Sequence, residues 1–148
     1  MRTILFILLL SPLFTYGQIR IDKAGDGWDL KIDSAITLIK QTDTSYYNAL
    51  VKHCNHVEIW KENFSSNYWS DSLGGTIYIS VDAIKLNSIN NLACTLVHET
   101  CHLRQRKNNA ILEEEDEERI CYIYEFYFAR KLLDLEPWIL SHILRMLK

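Results

Sequence analysis

The segment that most constrains the fold runs from residue 91 to residue 107 and contains His-Glu-Thr-Cys-His at positions 98–102. Its apolar residues recur at helical spacing, and no proline interrupts it. Residues four apart lie on the same face of a helix, so His98 and His102 can bind the same small cation. Glu99 flanks that face, about 100° around the axis. The segment therefore predicts a helix that carries two metal-binding imidazoles and a carboxylate able to act as a base toward a metal-bound water.

The N-terminus favours export. A basic start, Met1-Arg2-Thr3, precedes an apolar run that ends near Leu10 and is too short for a stable transmembrane anchor. Small residues near Gly17 are typical of a signal-peptidase site, so we predict a signal peptide at 1–17 and one compact domain at 18–148. This predicts a secreted or periplasmic protein with no stable membrane span after cleavage, and an uncleaved anchor is the alternative.

The charge balance argues against nucleic acid as a partner. The formal net charge is -3, and the one basic cluster, Arg104, Arg106 and Lys107, stands where a helix C-terminus favours cations. A basic field of the kind that binds phosphates is missing from the sequence. Nothing in the pattern favours a particular oligomeric state.

The four cysteines allow disulfides in an exported protein. Cys94 and Cys101 are seven residues apart on one predicted helix, a rise of about 10.5 Å, which exceeds the roughly 7 Å limit for a bridge. Three alternatives remain open. One pairs Cys54 with Cys94 and Cys101 with Cys121, the second pairs Cys54 with Cys101 and Cys94 with Cys121, and the third has no bridge. We favour Cys54 with Cys94, which leaves Cys101 and Cys121 packed beside the metal.

The remaining pattern predicts an α+β fold: one small, mostly helical domain with a short antiparallel β element before the metal-binding helix. Helices are expected from Asp33 or Ser34 to about Gln41, and from Thr44 or Ser45 to about Cys54. Alternation from Val57 and the run 75–81 predict two strands, antiparallel across a loop at 65–75. The second strand would expose one edge to the site, where an extended peptide can add.

Three further helix ends are marked by capping residues. Ser88 or Asn90 can cap the metal-binding helix, and Asn108-Asn109 ends it. The next helix falls within 110–134, and the last starts at Pro137. We expect the last helix to bury Trp138, Ile139, Ile143 and Leu147.

A catalytic zinc site takes three protein ligands and leaves one position for water, so a third ligand is needed. Glu118 is our choice because its helical face carries a mostly apolar stripe, and a buried carboxylate needs a partner such as a metal. Glu114 shares that face one turn earlier and ranks second, and Glu117 points about 100° away and ranks third. Glu125 can orient a ligand histidine or pair with an arginine.

His-Glu-Thr-Cys-His followed by Glu118-Arg119-Ile120-Cys121 resembles the gluzincin arrangement HExxH…ExxC, as in minigluzincins and related small exported metallopeptidases. The resemblance covers roughly residues 75 to 130. It implies a zincin-like domain with Zn²⁺ on His98, His102 and Glu118, Glu99 as the base, and a peptide or protein substrate. Many gluzincins place an Asp four residues after the third ligand to orient a histidine, whereas this chain has Tyr122.

Two functions from different classes follow from this pattern. The first is peptide-bond hydrolysis by a zinc metallopeptidase, with Tyr122, Tyr124 or Tyr127 as a donor to the oxyanion. The second is a catalytically inactive zinc-binding or peptide-binding module on the same scaffold, which Tyr122 in place of the Asp would favour. A metal-free helical protein is a third alternative.

Overall fold

The structure is a computed structural model, and it describes residues 19–23, 26–60, 68–71, 74–108 and 112–148. The predicted signal peptide lies outside these residues. The elements in chain order are β1 (Arg20–Ile21), α1 (Trp28–Thr42), α2 (Thr44–His53), β2 (His56–Trp60), β3 (Tyr68–Asp71), β4 (Thr76–Ser80), α3 (Val81–Leu86), α4 (Ile89–Lys107), α5 (Glu114–Ala129) and α6 (Pro137–Met146). The predicted α+β class, mostly helical with an antiparallel pair before α4, is confirmed.

The sheet has the strand order β1-β2-β4-β3, and the prediction for its central pair was wrong. β2 and β4 run parallel, with Val57 opposite Ile77, and the antiparallel pair is β3 with β4. The physical reason is that part of the predicted loop at 65–75 forms β3, which occupies the second edge of β4. The edge strand beside α4 is therefore β3, and β4 is internal.

α4 is the central helix of the domain. Its residues from Leu92 to Leu103 are buried apart from Thr95, and it packs against α1, α2, α5 and the sheet. The Ser88 hydroxyl accepts from the Asn91 amide at 3.1 Å, so the predicted cap is confirmed. Because neighbouring elements surround α4 on most sides, the directions of its polar side chains are set by packing rather than by local propensity.

Helix starts were predicted well where a capping side chain or a proline marks the first turn. α2 begins at Thr44 under Asp43, whose carboxylate accepts from the Ser45 amide, and α6 begins at Pro137 as predicted. α1 begins at Trp28, earlier than predicted, because Gly27 with φ 78° precedes it without a side-chain cap. Trp138 was expected to be buried, but it is half-exposed. The short helix α3 was not predicted.

All four cysteines are free thiols in this structure, which does not contain the favoured bridge between Cys54 and Cys94. The Cys54 thiol donates to the carbonyl of His56 at the start of β2, with Sγ 3.2 Å from the oxygen. Cys94 lies in the buried interior of α4. Among the described residues, none of the helices is long and apolar enough to cross a bilayer.

Candidate metal site

Three donor groups from two helices converge at one point. The Nε2 atoms of His98 and His102 are 3.1 Å apart, and the Glu118 carboxylate lies 3.4 Å from the first and 3.2 Å from the second. The histidines come from successive turns of α4, and Glu118 comes from the first half of α5. These three residues can hold a metal ion.

The opposite nitrogen of each imidazole is bound by a second carboxylate. His98 Nδ1 lies 3.1 Å from Glu125, and His102 Nδ1 lies 2.7 Å from Glu117. An ionised carboxylate only accepts hydrogen bonds, so both Nδ1 atoms carry the hydrogen. In the neutral imidazole this leaves the Nε2 lone pair directed at the other two donors. Fixing the tautomer in this way is how proteins orient histidine ligands toward a metal.

The spacing of the three donors suits a small divalent cation. A tetrahedral zinc with bonds of about 2.0–2.2 Å separates its ligand atoms by about 3.3–3.5 Å, close to the distances observed here. Two imidazoles and one carboxylate are also a donor set that zinc accepts in catalytic sites. The residues present therefore fit such an ion.

The electrostatic field around the rings strongly favours positive charge. Burial alone would lower the pKa of His98, but the hydrogen bonds with Glu118 and Glu125 outweigh it and raise the pKa to about 10. Burial and the bonds with Glu118 and Glu117 act on His102 in the same opposing way, and its pKa is raised as well. The bonds from His102 and His98 hold the pKa of Glu118 well below its usual range. A cation bound at the three donors would take the place of these protons.

Glu99 lies beside this centre and is only 7 % exposed. Burial raises its pKa, and the two histidines act in the opposite direction. Glu99 lines a cavity together with His98 and Glu118, and α4 packs against the edge strand β3. A carboxyl group with a raised pKa is suited to exchange protons near neutral pH.

An open cleft gives access to the site. A cavity of about 470 Å³ reaches from His98, Glu99 and Glu118 past Tyr122 to Trp138 of α6. A neighbouring cavity of about 650 Å³ shares Glu118 and Tyr122 with it. The exposed half of Trp138, which we expected to be buried, is therefore a wall of this cleft.

Some of the candidate glutamates lie close to the two histidines, and others do not. Glu118 lies in the group with His98 and His102, whereas Glu114 is exposed and outside it. Glu125 contacts His98, which is one of the two partners that we anticipated for it. This contact provides an acceptor for the hydrogen on Nδ1 of His98.

Glu117 and Arg106 have a role that the sequence analysis missed. Arg106 donates through Nε to Glu117 at 2.9 Å and through a terminal nitrogen to the Ser70 carbonyl at 3.0 Å. A chain of contacts thus connects β3 to Arg106, Glu117 and His102. Spacing showed only that Glu117 points away from Glu118 on α5, and it gave no signal that His102 lies on that side.

The three candidate tyrosines differ in their surroundings. Tyr122 lines the cleft, and its ring centre is 4.5 Å from that of His98. Burial and the nearby carboxylates raise the pKa of Tyr122 to about 12, so its hydroxyl keeps the hydrogen at neutral pH. Tyr124 packs against Tyr46 and Arg104, and Tyr127 is exposed. Of these three, only Tyr122 lines the cleft.

Comparison with protein-family models, with curated proteins and with solved structures gives no match.

Proposed function

We propose that this protein is a zinc-dependent metallopeptidase that hydrolyses peptide bonds in the cleft above His98, His102 and Glu118. The observation that carries this proposal is the convergence of two oriented imidazoles and one carboxylate beside a buried carboxyl group, at the inner end of an open cleft. Structural zinc sites use four protein ligands, whereas catalytic sites keep one position open. In the part of the chain that the structure describes, three ligands form the group.

Zn²⁺ held by these residues would lower the pKa of water toward about 7 and polarise the carbonyl group of the substrate. Glu99 takes a proton from the attacking water and delivers it to the leaving amine. Tyr122 stays protonated and donates a hydrogen bond to the oxygen that becomes negative. Glu125 and Glu117 keep the two imidazoles in the required tautomer.

The edge strand β3 supports a peptide substrate in particular. α4, which carries Glu99, packs against β3, and one side of β3 pairs with β4. An extended peptide can bind along such a strand by backbone hydrogen bonds, which would place a peptide bond close to Glu99. We expected this role for β4, but β4 is internal in the sheet and β3 is the edge strand, so we propose the role for β3.

Replacing the base tests the proposal. Glu99→Gln keeps the size of the side chain and removes the proton acceptor, so we expect unchanged zinc content and a loss of peptide hydrolysis of at least 100-fold. Zinc is measured by elemental analysis, and turnover with a library of fluorogenic peptides. Glu113→Gln, at an exposed position before α5, is the matched control and should keep full activity. Equal turnover by Glu99→Gln and the unmodified protein would exclude this mechanism.

The same experiment tests the alternative of an inactive binding module. Zinc bound to the unmodified protein, with no cleavage of any peptide in the library, would support that alternative. Its support in the sequence was Tyr122 in place of an orienting Asp. Because Glu125 makes the contact with His98, that observation no longer favours the inactive module over the enzyme.

A further inference from the structure

Two buried thiols lie between the two helices that carry the candidate metal ligands. Cys101 directly precedes His102 on α4, and Cys121 follows Glu118 by one turn on α5. The side-chain nitrogen of Gln105 lies 3.3 Å from the Cys101 sulfur and 3.5 Å from the Cys121 sulfur. Both sulfur atoms therefore contact the same amide nitrogen and lie close to each other.

We infer that Cys101 and Cys121 form a disulfide that cross-links α4 to α5 behind the metal site. The bond forms by thiol–disulfide exchange with a disulfide oxidant such as oxidised glutathione. The two thiols lose two protons and two electrons as the sulfur–sulfur bond forms, and the oxidant takes them up and becomes two thiols. The predicted export of the chain would bring it to a compartment where such oxidants act.

Burial determines when this bond can form and how long it lasts. Both cysteines are fully buried in the folded protein, and exchange requires access to the sulfur. The bond therefore forms while the chain folds, before α5 covers α4. Once folding is complete, the same burial protects it from soluble reductants.

The position of the pair gives the bond a consequence for the proposed site. Cys101 is next to His102 along α4, and Cys121 is one turn from Glu118 along α5. A disulfide between them fixes the separation of the two helices that carry the candidate ligands. This consequence rests on the proposed function, but formation of the bond does not.

Refolding of the reduced protein tests the inference. The protein is unfolded and reduced, then refolded in a buffer of oxidised and reduced glutathione, and finally alkylated in denaturant. We expect two alkylated cysteines, Cys54 and Cys94, and, apart from these two adducts, a mass two hydrogens lower than that of the fully reduced chain. Four alkylated cysteines, or glutathione adducts on Cys101 and Cys121, would overturn the inference.

The pairing itself must be assigned by fragmentation. Cleavage after Lys85 and Arg104 leaves Cys94 and Cys101 on one tryptic peptide, and Cys121 lies on the peptide 120–130. Fragment ions that break between Val97 and Glu99 separate the two possible partners of Cys121. A link from Cys121 to Cys94 contradicts the inference. The variant Cys54→Ser/Cys94→Ser is the matched control, and it should form the same link.

Accessibility gives a second readout that needs no variant. Dithiothreitol should leave the oxidised protein unchanged under native conditions and reduce it fully in denaturant. After reduction and refolding without oxidant, we expect the melting temperature to fall by about 10 °C for a closed loop of this length. Rapid reduction of the native protein, or an unchanged melting temperature, would count against the cross-link. Loss of peptidase activity alone would not affect this result.

Discussion

At the scale of single residues, the acidic run at the start of α5 divides into carboxylates with different surroundings. Glu118 lies at the three-donor group, Glu117 binds the far side of His102, and Glu114 is exposed. The apolar stripe of α5 led us to prefer Glu118, although Glu114 shares that face and the Glu118 side chain is only half-buried. The contact of Glu117 depends on the rotation of α5 about its axis relative to α4, which no periodicity within α5 reveals.

Removing Glu117 should weaken metal binding although Glu117 is not one of the three converging donors. Glu117→Ala leaves the hydrogen on Nδ1 of His102 without its acceptor, so we expect zinc affinity to fall by about 10–100-fold. Affinity is measured by competition with a chromophoric chelator. Glu114→Ala removes the same charge three residues away and should change affinity less than threefold. Equal losses in the two variants would show that only the overall negative charge matters.

At the scale of elements, helix starts with a sequence signal could be predicted, and the pairing and direction of the strands could not. Asp43, Ser88 and Pro137 each mark the helix that follows. β3 was missed because its own sequence lies in a segment rich in Ser, Asn and Gly, and its pairing depends on the free edge of β4. Because β3 lies between β2 and β4 in the chain and runs opposite to β4, the chain reverses twice, and β2 and β4 are parallel.

The start of α2 has a pH-dependent component. Asp43 caps α2 through the Ser45 amide and also binds Lys131, and chiefly the bond with Lys131 lowers the pKa of Asp43 to about 2. A group whose pKa is lower in the folded state stabilises the fold above its unfolded pKa, and this contribution is lost as the pH falls toward the folded value. The window therefore lies between about pH 4 and pH 2.

Two substitutions separate the cap from the ion pair. Asp43→Ala removes both, and loss of the cap should cost about 0.5–2 kcal/mol at pH 7. Asp43→Asn keeps an acceptor for Ser45 and removes the charge, so its loss should be smaller, below about 1 kcal/mol. Urea unfolding from pH 7 to pH 3 measures both. The difference between Asp43→Asn and the unmodified protein should shrink at the acidic end, and a constant difference would contradict the assigned ion pair.

The turn before β4 requires glycine for two separate reasons. Gly75 has φ 62°, and a Cβ there would lie 2.8 Å from the carbonyl oxygen of His53. Gly75→Ala should therefore destabilise the protein by about 1–3 kcal/mol. Gly27 has a similar φ of 78° but nothing within 4 Å of its Cβ position, so Gly27→Ala should cost less, about 1 kcal/mol. Urea midpoints compare the two, and equal losses would mean that the contact with His53 is unimportant.

At the scale of the whole molecule, the metal site and the stability of the fold depend on the same two helices. Four carboxyl groups, from Glu99, Glu117, Glu118 and Glu125, surround the two imidazoles of His98 and His102. In the metal-free protein, protons on the two imidazole rings balance the negative charge of these carboxylates. A bound divalent cation would balance the same charge at neutral pH in place of the protons. Zinc that binds only the folded state must therefore raise the stability of the entire domain.

A ligand at 1,000 times its dissociation constant stabilises the folded state by about 4 kcal/mol, which for a domain of this size is a rise in melting temperature of about 10 °C. We expect this rise on adding zinc to chelator-treated protein, and its absence in His98→Ala/His102→Ala. Glu99→Gln, which leaves the three donors in place, should show the full rise and so separates metal binding from catalysis. Differential scanning calorimetry at a fixed redox state keeps the cross-link between α4 and α5 constant during the measurement. Stabilisation by mass action grows with the logarithm of ligand concentration. The melting temperature of the unmodified protein should therefore continue to increase as zinc is added. A melting temperature that does not depend on zinc concentration would show that the three donors do not bind the ion in the folded state.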